Sequence, residues 1–144
     1  MGITSAVCNS FKQEILEAEH NFTASTGNTF NLALYDSSAD LSKSTTVYTT
    51  SEELATTGGY TAKGNALTSV TPVLDSDTAV CDFADTSWTS ASFTARGCLI
   101  FNDSHSSDAA VCAIDFGGDK TVTSGTFTVE FPAAAASTAI VRIA

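Results

Sequence analysis

Basic residues are scarce in this chain. Six lysines and arginines stand against sixteen acids, for a formal charge of −10. Lys12, Lys43, Lys63, Arg96, Lys120 and Arg142 are scattered singly, whereas a phosphate backbone is gripped by a local basic stripe, so no nucleic acid is expected as a partner. The acids form no run either and read as a solvated, self-repelling surface. No apolar stretch approaches the roughly 18 residues of a membrane span, and no membrane partner is expected. No apolar segment follows Lys12 in the manner of a signal peptide, and Ala6 stands where a myristoylation signal wants Ser or Thr. Cysteine is limited to Cys8, Cys81, Cys98 and Cys112, without a C-x-x-C spacing or a histidine at a ligand-like interval. Zinc is therefore not expected, and the thiols read as small, buried, reduced side chains, with a disulfide between adjacent strands as the alternative.

Hydroxyls carry the polarity in place of charge: 22 threonines and 18 serines in 144 residues. Threonine suits a pleated, half-solvated surface and serine suits turns, which points to a β domain with many short connections. A length of 144 residues with 43% apolar content is enough for one self-sufficient core, so residues 1–144 read as a single domain.

Ile3, Val7, Phe11 and Ile15 recur every four positions, with Leu16 and Ala18 broadening the stripe and Lys12, Glu14, Glu17 and Glu19 opposite. This spacing predicts one amphipathic helix over about 4–20, capped by Thr4 or Ser5, with His20 in its last turn. Its apolar stripe packs on the domain's own sheet or docks on a neighbouring subunit. From about residue 29 the period changes to two. Phe30, Leu32 and Leu34 alternate with Asn31, Ala33 and Tyr35, predicting a strand buried on one face. Further strands are expected over 45–50 (weak), 67–74 (at an edge, because of Pro72), 79–83, 92–101 (central, with a bulge at Arg96-Gly97), 111–116, around Phe127-Val129-Phe131, and 139–144. Asp75-Ser-Asp77 and Gly117-Gly118-Asp119 read as turns, and 102–108 as a polar, exposed loop. The fold class is mainly β: an antiparallel β-sandwich, jelly-roll or Ig-like, with one N-terminal amphipathic α-helix.

Chemistry is thin. The segment after Asp75 lacks the glycine and terminal acid of a calcium loop, having Val80 and Thr86 there. Only His20 and His105 can serve as a base for a nucleophile. His105 lies among Ser104, Ser106, Ser107 and Asp108, but neighbours in one loop rarely form a triad, and no G-x-S-x-G elbow exists. Asn21-Phe-Thr23 and Asn102-Asp-Ser104 match the glycosylation pattern by chance. Trp88 fills the core or, beside Asp85 and Asn102, floors a sugar site. Arg96, in an apolar strand, needs an acid such as Asp82 or Asp115, or a partner subunit. No catalytic residue, cofactor or metal is assigned. The candidate intersubunit or structural contacts are Val7, Phe11, Ile15, Arg96 and Arg142.

Taken in order, Ser10-Phe-Lys-Gln-Glu14, Gly27-Asn-Thr-Phe-Asn-Leu-Ala-Leu-Tyr35, Gly59-Tyr-Thr-Ala62 and Asp82-Phe-Ala-Asp-Thr-Ser-Trp88 are the first carriers of a resemblance. It continues through Phe93-Thr-Ala-Arg-Gly97, Asp115-Phe-Gly117, Phe127-Thr-Val-Glu-Phe-Pro132 and Ile140-Val-Arg-Ile-Ala144. The chain resembles, nearly end to end, a family of small virion structural proteins of tailed bacteriophages. Order and spacing carry the likeness rather than any one segment. The resemblance implies a particle component made in the host cytoplasm and located in the virion, foremost a capsid cement or decoration protein at the capsid surface. Its implied partners are the major capsid protein or other virion proteins, and further copies of the chain in a homo-oligomer such as a trimer. A neck, tail or tail-fibre component is the alternative within the particle, and a host glycan-binding module the alternative outside it.

Overall fold

A computed structural model describes residues 2–144. The protein is mainly β, with two antiparallel sheets packed as a sandwich and one short helix. The chain runs through β1 (Ala6–Val7), α1 (Asn9–Leu16), β2 (Phe30–Tyr35), β3 (Asn65–Ala66), β4 (Ser69–Asp75), β5 (Thr78–Phe83), β6 (Thr86–Asn102), β7 (Ala109–Val129) and β8 (Val141–Ile143). The larger sheet has the order β1-β7-β6-β2-β3 and the smaller β4-β5-β8.

The centre is the β6–β7 hairpin, paired from Asn102↔Ala109 next to its turn to Thr86↔Val129 at its far end. Hydroxyls make its solvent side cohesive: Ser87 and Thr128, and Thr94 and Thr121, meet across the strands at 2.8 Å. Near the turn, β2 pairs with β6 so that Leu32, Ile100 and Cys112 lie side by side, as do Leu34, Cys98 and Ile114. This face meets Phe22, Cys81, Phe83 and Val141 in one core. The opposite face presents Ala33, Leu99 and Ala113, and it is covered by Ile3, Leu41 and Tyr48, whose ring stacks on Phe101 at 4.7 Å. β2 is therefore buried on both faces, not one: the N-terminal segment and the 36–54 loop roof the side that the alternation of Asn31, Ala33 and Tyr35 assigned to solvent.

The helix is half its predicted length. Residues 6–7 pair with β7 (Ala6↔Ala113, Val7↔Cys112) and Ile3 bridges Leu41, so the four-residue spacing of Ile3 and Val7 serves a strand. At the other end Ala18 takes φ 62°, which breaks the helix. Leu16, counted in the apolar stripe, is 87% exposed. The 45–50 segment forms only the single bridge Val47↔Ala109. Gly117-Gly118-Asp119 does not turn the chain. It is a wide bulge within continuous β7, between the pairs Gly97↔Asp115 and Ala95↔Lys120, where Gly117 takes φ +82°. The register does shift at Arg96, as expected, but the extra residues lie on β7: Arg96 alone faces residues 116–119. β4 is an edge strand carrying Pro72, and Asp75↔Thr78 closes its hairpin with β5, both as the sequence predicts.

Gly64, at φ +65°, enters β3 so close to β2 that a Cβ there would sit 1.8 Å from the Leu32 carbonyl oxygen. Gly118 has nothing within 4 Å. Gly64→Ala is expected to cost at least about 2 kcal/mol and Gly118→Ala less than about 0.5 kcal/mol, measured by urea unfolding.

Candidate functional site

Three clusters of polar side chains and one apolar groove are the features with chemical potential. The first cluster gathers on Glu53. Its carboxylate accepts from the Tyr48 and Tyr60 hydroxyls and from the Lys63 amide, and Tyr60 Oη in turn accepts the Leu34 amide at 3.0 Å at the edge of β2. Tyr35 donates to the Thr49 carbonyl at 2.6 Å. Lys63 reaches Asp103 and Asp108 at 2.9 Å each, with its ammonium 5.6 Å from the Tyr48 ring centre. The Glu53 bonds tie the 45–64 loop to itself, and Tyr60, Thr49 and Lys63 then join it to β2 and to the hairpin turn, so the cluster fastens a loop that has almost no strand pairing of its own. Asp108, written beside His105 as one member of a triad, is thereby committed to Lys63.

The second cluster holds both histidines. His20 lies beyond the helix rather than in its last turn, and its ring is buried among Phe11, Phe22 and Phe30. Nε2 faces Glu14 at 3.4 Å and Nδ1 meets the Asn102 side-chain amide at 3.0 Å. The His105 ring stacks on it at 6.1 Å and 21°. His105 Nε2 faces Glu19 at 3.4 Å, while its Nδ1 meets Ser107 Oγ at 3.0 Å. Burial lowers the His20 pKa, opposed by Glu14. Asn102 is fully buried, against the expectation of an exposed 102–108 loop, and a side chain so enclosed is no glycan acceptor. Among the described residues no group of three or more His, Cys, Asp or Glu side chains is placed to hold a metal ion.

The third cluster is the ion pair of Arg96 with Asp115 at 3.2 Å and Asp119 at 3.5 Å across the β7 bulge. Asp115 was one of the two acids named for it; Asp82 is instead buried and accepts the Phe83 amide. Arg96 keeps a third of its side chain in solvent, so this is a surface clamp of modest worth. Of the other predicted contact residues, Phe11 is buried in the chain's own core, and Val7 and Ile15 are half-buried against it. Arg142 is exposed and donates to the Ala136 carbonyl at 3.2 Å. The five lie on four elements, β1, α1, β6 and β8, and form no common site.

The groove was not anticipated. β6 and β7 outrun the smaller sheet, and on the uncovered stretch Phe127, Val129 and Phe131 share a side, as their alternation implies. With Ile114, Phe116 and Ile140 they line an open hollow of about 490 Å³, edged by Lys120 and Glu130. Its floor is rigid: Phe127 packs on Trp88 and Phe93, which meet Tyr60 in turn. Trp88 is only 5% exposed and Asn102 lies at the other end of β6, so no sugar platform forms from them. The alternation of residues 127–131 was visible in the sequence, but the shortness of the facing sheet, which leaves them uncovered, was not.

Comparison with family models, with curated proteins and with solved structures finds no match. No helix among the described residues is long and apolar enough to cross a membrane.

All three tyrosines of the chain are tied internally, and burial raises each hydroxyl pKa above its ordinary range, with Glu53 adding to the effect at each. An acid whose folded pKa is raised stabilises the fold below its unfolded value, near 10, and loses that contribution as pH climbs beyond it. Phenolate absorbance in an alkaline titration is therefore expected to appear in one step together with loss of tertiary structure, not as three independent titrations near pH 10.

Proposed function

We propose that this chain is a structural subunit of a bacteriophage virion, foremost a capsid cement or decoration protein that bridges major capsid subunits, acting through its surface and without catalysis. The observation that carries the reading is the open groove beside β7. An aromatic hollow of this kind is a surface that association would dry, and burial of apolar area is the main drive for association. The Lys120 and Glu130 ends supply the polar rim that sets register. The hydroxyl-rich, anionic remainder keeps the free subunit soluble. Repetition of a modest contact, of order 800 Å² per partner, around a symmetric particle or a trimer of this chain multiplies its effect. The resemblance to small virion structural proteins points the same way.

A neck, tail or tail-fibre subunit would use the same groove in fewer copies. A glycan-binding module has less support, since Trp88 belongs to the core. Quantitative mass spectrometry of purified particles from the phage that encodes the chain separates these readings. Hundreds of copies per particle are expected; a dozen or fewer moves the assignment to neck or tail, and absence from particles overturns it. Phe116, half-exposed at the β7 bulge, lines the groove outside the fully buried core. Phe116→Asp is expected to keep the melting temperature within a few degrees and to lower particle occupancy about tenfold, a loss near 1.4 kcal/mol per site.

A further inference from the structure

The chain has only two histidines, and the fold stacks them although they lie far apart in sequence. The hydrogen bonds around His20 settle where its proton sits. Asn102 Oδ1 accepts the Ser104 amide at 3.0 Å, so the carboxamide is oriented by a backbone donor and its Nδ2 must be the group facing His20. The same Nδ2 donates to Asn28 Oδ1 at 3.1 Å, and that oxygen is oriented by the Asn21 amide at 2.7 Å. Two backbone N–H groups thus fix both carboxamides, and His20 Nδ1 is left no role but acceptor. The ring proton lies on Nε2 and is donated to Glu14 Oε1 at 3.4 Å. A proton added to Nδ1 would set an N–H against the Asn102 NH₂, donor against donor, in a site with no water-facing alternative. The charged groups facing the ring are Glu14 from α1, Glu19 from the connector after it and His105 from the β6–β7 turn; the two glutamates favour a charge on His20, and His105 and burial oppose it.

We propose that His20 is a proton-operated latch: neutral, it fastens α1 and the 17–28 connector to the β6–β7 turn, and protonation at Nδ1 expels it from Asn102 and frees that segment. Phe11 and Phe22 in the core, the Ala24 amide on Thr71 Oγ1 and the Thr29 bonds to Ser104 and Asp103 hold the two ends of this segment, and the latch holds its middle. Between Leu16 and Asn28 the chain forms no strand, and its anchors to the hairpin turn are the His20–Asn102 and Asn28–Asn102 bonds, the His20–His105 stack and the Glu19–His105 contact. Release uncovers the Phe22–Phe30 stack, rings 4.3 Å apart and nearly parallel. The sign follows from the linkage: a base that resists protonation in the fold stabilises it above its unfolded pKa of about 6.5, and that contribution is lost as pH falls below this value. The inference stands independently of the role in a virion.

Long-range proton–nitrogen spectra of the His20 ring in the full chain read the tautomer directly. A bare Nδ1 with Nε2–H at pH 7.5 is expected; a proton on Nδ1 at that pH overturns the proposal. Amide hydrogen exchange, corrected for the intrinsic pH dependence, then tests the release. Between pH 7.5 and 5 protection over residues 9–28 is expected to fall at least tenfold more than over 97–102. In His20→Gln, whose carboxamide offers an oxygen to Asn102 and an N–H to Glu14 with no charge to gain, this excess loss is expected to vanish. Equal loss in both segments of the wild-type chain, or the same excess loss in His20→Gln, refutes the latch.

Discussion

The pairing of β6 with β7 is the constraint on which the rest of the molecule depends. Close to its turn this hairpin is the middle of a sandwich, flanked by β2 and β1 and covered on both faces. Further out it is held by its own pairing and cross-strand hydroxyls, by the 56–64 loop laid against it through Gly58 and Gly59, and by Asn65 on Thr86 and Ser87. A strand pair that continues beyond its neighbours must either bury the apolar side it carries or leave it open. Here one part is buried, under Tyr60, and the other, along Phe127 and Val129, is open. The bulges at Gly117–Asp119 and at Ser124, which takes φ 46°, interrupt the free edge of β7, so side chains in the groove rather than bare backbone are what this margin presents to a neighbour.

Everything outside the sheets is held by point attachments. Glu53 collects three donors for the long loop, Lys63 spans two aspartates of the hairpin turn, and the histidine pair holds the segment after α1. The lysine and the histidine pair converge on the region about residues 102–108, where Asn102 is buried although composition places a solvated loop, while the Glu53 bonds stay within the long loop and reach β2 through Tyr60. Ordered polar groups of this kind cost free energy unless each is satisfied, and these chains of bonds end on backbone amides that would otherwise be orphaned.

Much of the fold was legible in the sequence. The period-two alternation marked β2, β5, β6 and the far half of β7; Pro72 marked an edge; Asp75-Ser-Asp77 marked a hairpin. Failures came where long-range pairing overrode local pattern. Ile3 and Val7 fit a helical stripe, but a free margin of β7 and the Leu41 backbone offered them strand partners. Gly117-Gly118 fits a turn as well as a bulge, and only the partner strand decides between them. That a guanidinium in an apolar strand demands a partner left Asp82, Asp115 or another subunit open for Arg96, and the fold pairs it with Asp115. The Glu53 centre, the stacked histidines and the groove carried no local signal, since each is assembled from segments brought together by the sandwich.

Burial of the four thiols has a consequence for their reactivity. None is paired, and desolvation pushes Cys8 up to about 11 and Cys81 to about 12, with Cys98 and Cys112 also raised. Thiolate is the species that exchanges and oxidises, so at neutral pH almost none of it exists while the fold is closed. In aerated neutral solution the closed fold therefore shields its own sulfur from exchange and oxidation, and unfolding is the step that exposes it.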